Sequence, residues 1–165
     1  MNIYSISFNL TKKNKRFKTQ IRYKSMTTSL IDYYFEQQDK FETKYGKKTV
    51  VLLMKGSFYE VYATDDIGKA PDVAKILNLV LTKANKKIPE VSKTNPYMMG
   101  IPVCAIKKYL RVLIEEQYSV VTIDQQEKNP MERYISKIYS PGTIIEDIKS
   151  SANESNYIAC LYCDY

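Results

Sequence analysis

Lys55-Gly56-Ser57-Phe58-Tyr59-Glu60-Val61-Tyr62 is the stretch on which the reading of the chain turns. It follows a dense apolar run, Thr49 to Met54, and leads into a second β-prone run, so Lys-Gly-Ser reads as a turn joining two paired strands. Over Phe58 to Ala63 a strand would place Phe58, Glu60 and Tyr62 on one side and Tyr59, Val61 and Ala63 on the other. An aromatic and a carboxylate then point the same way at the mouth of a turn. The bland reading of Phe58 is a core aromatic beneath a hairpin, since aromatics in strands are usually packed.

Outward from this hairpin, helical and β-type periodicities alternate. Thr27, Thr28 and Ser29 offer N-caps for a helix ending near Tyr45 and Gly46, and Leu30, Ile31, Tyr34, Phe35, Phe41 and Tyr45 form its apolar stripe. Thr49 to Met54 is too apolar to be exposed on either face and belongs in the middle of a sheet. Beyond the hairpin, Gly68 suits a loop and Pro71 the first turn of a short helix from about Ala70 to Leu77. Asn78 to Thr82 reads as a brief apolar strand. Residues 83–96 read as an exposed loop carrying Lys83, Lys86, Lys87 and Lys93. Pro96 to Pro102 leads into a helix from about Val103 to Gln117, with Ile106, Leu110, Leu113, Ile114 and Gln117 facing inward. Tyr118 to Ile123 and Arg133 to Tyr139 read as strands, the second stopped by Pro141-Gly142. This order predicts an α/β domain, a mixed β-sheet flanked by helices.

The 165 residues, 44% apolar, suit one domain with a real core. No apolar run approaches the length of a membrane span, and no membrane partner is expected. The net charge of +7 is unevenly spread. Lys12, Lys13, Lys15, Arg16, Lys18, Arg22 and Lys24 lie in an acid-free arm, residues 1–25. Without those seven, the other basic residues only equal the 18 acids. Such an arm can bind phosphate through counterion release, or simply be solvated. The domain proper is placed at 26–147, a polar linker at 148–156, and the first strand of a further domain at 157–165.

Three cysteines without a disulfide framework point to a reducing intracellular compartment, whether nucleus, cytoplasm, virus factory or mitochondrion. Cys160 and Cys163 lack the second pair of ligands that zinc requires. With no histidine, Ser-His-Asp and histidine-based acid-base chemistry are excluded. None of the five glycines has phosphate-loop spacing, so neither metal nor cofactor is expected in this chain. A metal-dependent nuclease built on Asp65, Asp66, Asp124 and Glu127 is the alternative from another functional class, as is non-specific nucleic-acid binding.

Lys55 to Tyr62 resembles the G-x-F-Y-E-L-F/Y segment in the N-terminal mismatch-recognition domain, domain I, of the MutS mismatch-repair family. The similarity continues in order through Asp65-Asp66, Leu79-Val80-Leu81-Thr82-Lys83, Met99-Gly100-Ile101-Pro102, Tyr109-Leu110, Ser119-Val120-Val121 with Gln125, Met131-Glu132-Arg133 and Ser140-Pro141-Gly142-Thr143. It spans about residues 26–147, and Tyr157 to Tyr165 resembles the opening strand of the family's connector domain. Departures are Ser57 for a frequent Asp, Val103-Cys104 where aromatic-His is common, and Gly68 and Pro71 interrupting the following helix.

The resemblance implies that Phe58 wedges into the minor groove and stacks on a mispaired base, and that Glu60 hydrogen-bonds that base. The implied partner is double-stranded DNA with a mismatch or an unpaired base. Backbone contacts are expected from Lys55, Lys83, Lys86 and Lys87, with Tyr97 and Met98 near the groove floor. No catalytic role is implied for this domain. ATP and Mg, and a homo- or heterodimer, are implied for the full-length protein only.

Overall fold

In the computed structural model, which describes residues 29–129 and 132–141, Thr49–Lys55 forms strand β1 in the middle of a six-stranded sheet. Strand β2, Phe58–Ala63, returns antiparallel to it, and strand β5, Ser119–Gln125, runs parallel along its other edge. Outside β2 lies β4, Tyr97–Pro102, followed by the two-residue β3, Thr82–Lys83; outside β5 lies β6, Arg133–Tyr139. Helices α1 (Leu30–Tyr45), α2 (Ala70–Leu77) and α3 (Ile106–Glu115) complete the expected α/β architecture. The basic arm 1–25, the linker 148–156 and the strand expected at 157–165 lie outside the described residues.

Val50 to Leu53 are fully buried, as a strand flanked on both edges and covered on both faces must be. Helix α1 covers one face: Tyr34 meets Tyr62 edge-on, with ring centroids 5.0 Å apart. Helices α2 and α3 pack together over β2, β4 and β5, where Val73, Leu77, Leu110 and Leu113 join the core.

Strand β2 is in register with β1 only from Leu53 to Lys55; beyond Glu60 it stays paired with β4 but no longer with β1. That divergence would strand the β1 backbone groups nearer its start. Gln38 of α1, 3% exposed, fills the gap: its Nε2 donates to the Thr49 carbonyl at 2.8 Å and its Oε1 accepts from the Val51 N–H at 2.9 Å. A side-chain amide thus supplies the donor and acceptor of a missing strand.

Several boundaries depart from the expectations. Of the strand expected over Asn78 to Thr82 only Thr82 belongs to one, β3; Asn78 adopts the left-handed conformation (φ 51°) and ends α2, with Leu79 N–H donating to the Ala74 carbonyl at 2.9 Å. This Schellman closure turns the chain outward and leaves Val80 83% exposed. Gln117 ends α3 in the same way (φ 66°, Tyr118 N–H to Leu113 carbonyl 2.8 Å), so it faces solvent rather than the core. Tyr45 is exposed and stacks on Phe41 instead of continuing the buried stripe. Tyr97–Pro102, expected only as a lead-in, is a full strand paired residue by residue with β2. Gly68 (φ 93°) closes against Ala63, where any Cβ would run into the Tyr62 carbonyl oxygen, which explains a glycine just ahead of α2.

Replacing Gln38 by Ala removes both surrogate strand contacts and leaves a buried carbonyl and N–H unpaired. The expected loss is about 2–4 kcal/mol, read as a lower urea midpoint at unchanged m. Glu42, the neighbouring group, lies 3.4 Å from both Lys47 and Lys69. Burial pushes its carboxyl pKa up, but the Gln38 hydrogen bond and the two lysines outweigh that and hold it below the ordinary value. A depressed folded-state pKa adds stability above the unfolded value and loses it as pH falls through the folded one. Glu42→Gln is therefore expected to be less stable near neutrality and to show a shallower acid limb in a pH series of unfolding curves.

Candidate nucleic-acid interface

Gly56 and Ser57 form the two-residue turn between β1 and β2. Gly56 takes φ +60° and Ser57 does not, the pattern of a type II′ hairpin, in which glycine occupies the first central position. The turn is tied down from two sides. On one, Gln125 Oε1 accepts from the Gly56 N–H at 2.7 Å and the Tyr59 hydroxyl donates to Asp124 Oδ1 at 2.6 Å. On the other, the Val103 N–H donates to the Ser57 carbonyl at 2.9 Å. The hairpin tip is thus fixed by the end of β5 and the turn entering α3.

Along β2 the alternation is as expected. Tyr59, Val61 and Ala63 are buried on one face; on the other, exposure falls from Phe58 (47%) through the partly buried Glu60 to Tyr62 (2%). Helix α1 covers this second face at Tyr62, and by Phe58 the side chain is half open to solvent. Across the β2–β4 ladder, Phe58, Glu60 and Tyr62 stand opposite Pro102, Gly100 and Met98. The Phe58 ring lies over Gly100, where an added Cβ would come within 3.4 Å of Cδ1. The result is a projecting aromatic beside a low floor.

Glu60 is held rather than free. The Tyr62 hydroxyl donates to its Oε2, and Lys55 Nζ lies 3.4 Å from the same oxygen. Burial, and then this hydrogen bond to a carboxylate, push the Tyr62 phenol pKa well above its ordinary value, so it stays a donor at any working pH. Burial pulls the Arg133 guanidinium down, opposed by the fields of Tyr33, Tyr62 and Glu60. Lys55 is half exposed, so its ion pair is worth only about 0–1 kcal/mol, and its long stem leaves it able to exchange partners.

The other candidates are dispersed. Met98 pairs with Tyr62 and shares the Phe58 face, whereas Tyr97 pairs with Ala63 and lies on the opposite one. Lys83 pairs with Tyr97, and its Nζ donates to the Pro89 carbonyl at 2.9 Å. Lys86 and Lys87 are exposed on a loop organised by buried Asn95, whose side chain accepts from the Asn85 N–H and donates to the carbonyls of Ile88 and Glu90. Residue type alone gives Tyr62 and Gln125 no role at the site, although strand alternation sets Tyr62 beside Glu60. Asp124, one of the acids considered for a nuclease, accepts from Tyr59, and among the described residues no three Asp, Glu, Cys or His side chains gather to hold a metal. No helix among them is long and apolar enough to cross a membrane.

If Gln125 fixes the tip, Gln125→Ala should speed hydrogen exchange at the Gly56 amide severalfold while costing only about 1 kcal/mol of global stability. Unchanged Gly56 exchange would show that Tyr59 and Val103 suffice.

The family model for MutS domain I matches residues 28–148. A mutS homolog of Acanthamoeba polyphaga mimivirus is 33% identical over 138 residues, covering 81% of this chain and 12% of that protein. The DNA mismatch repair proteins MutS of Fervidobacterium nodosum and Thermosipho melanesiensis are 34% and 32% identical over 140 and 142 residues, covering 82% and 83% of this chain. The chain spans 15% of the length of each of these two relatives. Match and fold together establish that the chain belongs to the MutS family and carries its domain I.

Proposed function

We propose that this chain recognises mispaired or unpaired bases in double-stranded DNA, with Phe58 as the wedge and Glu60 as the group that hydrogen-bonds the base. The observation that carries the reading is Phe58 itself, a large aromatic 47% exposed at the tip of a hairpin whose backbone is fixed from both sides. Family membership supports it. A ring inserted from the minor groove partly unstacks a base step and kinks the duplex, at a cost of roughly a few kcal/mol. A mispaired base is already less well held, so insertion there costs less, and stacking on the ring returns about 1–3 kcal/mol. Discrimination by this route is a reading of deformability rather than of base identity, which suits tolerance of many mispairs.

Glu60 adds the opposite bias. A carboxylate in a groove lined by acceptors and phosphates disfavours intact duplex, and a mispair with an exposed polar edge offers it a partner. Lys55, at the foot of the same hairpin, and the exposed Lys86 and Lys87 are the lysines we assign to phosphate, with Met98 near the floor. Lys83 and Tyr97, on the opposite face, are assigned to support of the loop and of β4. The ATP and Mg of a MutS protein, and its dimer partner, we assign to parts of the full-length protein beyond this chain. Here no phosphate-loop spacing exists to hold a nucleotide.

Binding of the chain to homoduplex, mismatched and single-unpaired-base DNA at two salt concentrations tests the reading. The parent should prefer the defective duplexes, and Phe58→Ala should reduce that preference by roughly 5- to 150-fold, equivalent to about 1–3 kcal/mol of stacking. Glu60→Gln should retain or gain total DNA affinity and lose discrimination. Equal affinity of the parent for all three DNAs would refute recognition by this chain.

A further inference from the structure

We infer that Tyr62 is the positioning residue for Glu60, holding the carboxylate by one oxygen so that the other is presented to the base. The inference rests on the proposed role of Phe58 and Glu60 and adds a residue to it. Among the described residues, the Tyr62 hydrogen bond and the Lys55 ion pair both fall on Oε2, and neither engages Oε1. The two holders differ in kind. Lys55 is 53% exposed on a flexible stem, a partner that a DNA phosphate can draw away. Tyr62 is 2% exposed, locked between β4 and the Tyr34 ring of α1, so its hydroxyl is a fixed point.

When Lys55 turns to phosphate, the Tyr62 hydrogen bond still holds Oε2 of Glu60. A hydroxyl on an aromatic ring is the right device: the ring anchors in the core while the polar tip reaches the edge of the site. Phenylalanine would fill the same space and pack as well against Tyr34, but would let the carboxylate rotate. The tyrosine hydroxyl is therefore a determinant of discrimination rather than of affinity or fold.

Tyr62→Phe in the full 165-residue chain isolates that hydroxyl. The ratio of mismatch to homoduplex affinity should fall roughly 3- to 10-fold, the value of one hydrogen bond at this site, with homoduplex affinity changed less than about twofold. In a Glu60→Ala background the same substitution should leave the ratio unchanged, since the group it positions is gone. Equal weakening on every duplex, or the same fall in ratio without Glu60, would overturn the positioning role. Loss of all preference in the parent, or a Phe58→Ala variant as discriminating as the parent, would instead overturn the recognition reading. Without DNA, relaxation of the Glu60 side-chain methylenes in a Lys55→Ala background gives an independent measure: they should be restricted with Tyr62 present and freer in Tyr62→Phe, and equal mobility in both refutes positioning whatever the DNA result.

Discussion

Strand β1 must have both edges satisfied while β2 leaves it halfway, and that constraint shapes the rest of the domain. A buried strand does not tolerate bare carbonyls and N–H groups. Parallel pairing with β5 satisfies one edge from Thr49 to Leu53, and β2 satisfies the other only from Leu53 onward. Gln38 makes up the difference from α1. The hydrogen bonds that let β2 part from β1 are therefore the ones that fix α1 on the sheet, and α1 in turn covers Tyr62 but leaves Phe58 half exposed. The half-exposed face around Phe58 follows from an unfinished β ladder.

Electrostatics at the hairpin follow the same economy of parts. The tip combines a carboxylate and an ammonium 3.4 Å apart, so the acid carries its own counter-charge. Tyr62 belongs at once to the core, through its ring, and to the site, through its hydroxyl. Gly100 keeps the floor low beneath Phe58, and Gly56 permits the sharp return that places the ring at the corner. Each of these residues is small, aromatic or polar for a reason set by its neighbours across the ladder.

Much of this was legible in the residues. Alternation over Phe58 to Ala63 predicted the two faces of β2, the unbroken apolar run gave β1 its central place, and Pro71 marked the first turn of α2. Periodicity failed where the deciding interaction was conformational or distant. Asn78 and Gln117 end helices by adopting positive φ, which apolar counting does not register, and so the apolar run after Asn78 suggests a longer strand than the Thr82–Lys83 pair that forms. Tyr97–Pro102 contains Gly100 and ends in proline, which hides a strand whose register comes from β2. Gln38 sits among polar residues of a helix, and only the missing strand beside it explains its burial. The clamp on Gly56 joins residues with no sequence signal in common.

That clamp also has a temporal side. Gly56 and Gln125 are 69 positions apart, and β1 meets β5 across a comparable interval. The local β1–β2 turn can close early, but its orientation is set only when β5 has docked, and closing so long an interval is the slow kind of event in folding. On a ribosome, the segment bearing Phe58 would emerge well before the segment that aims it. Until β5 is made, the Phe58 hairpin exists as a sequence but not as a fixed geometry, so an unfinished chain carries the aromatic without the contacts that orient it.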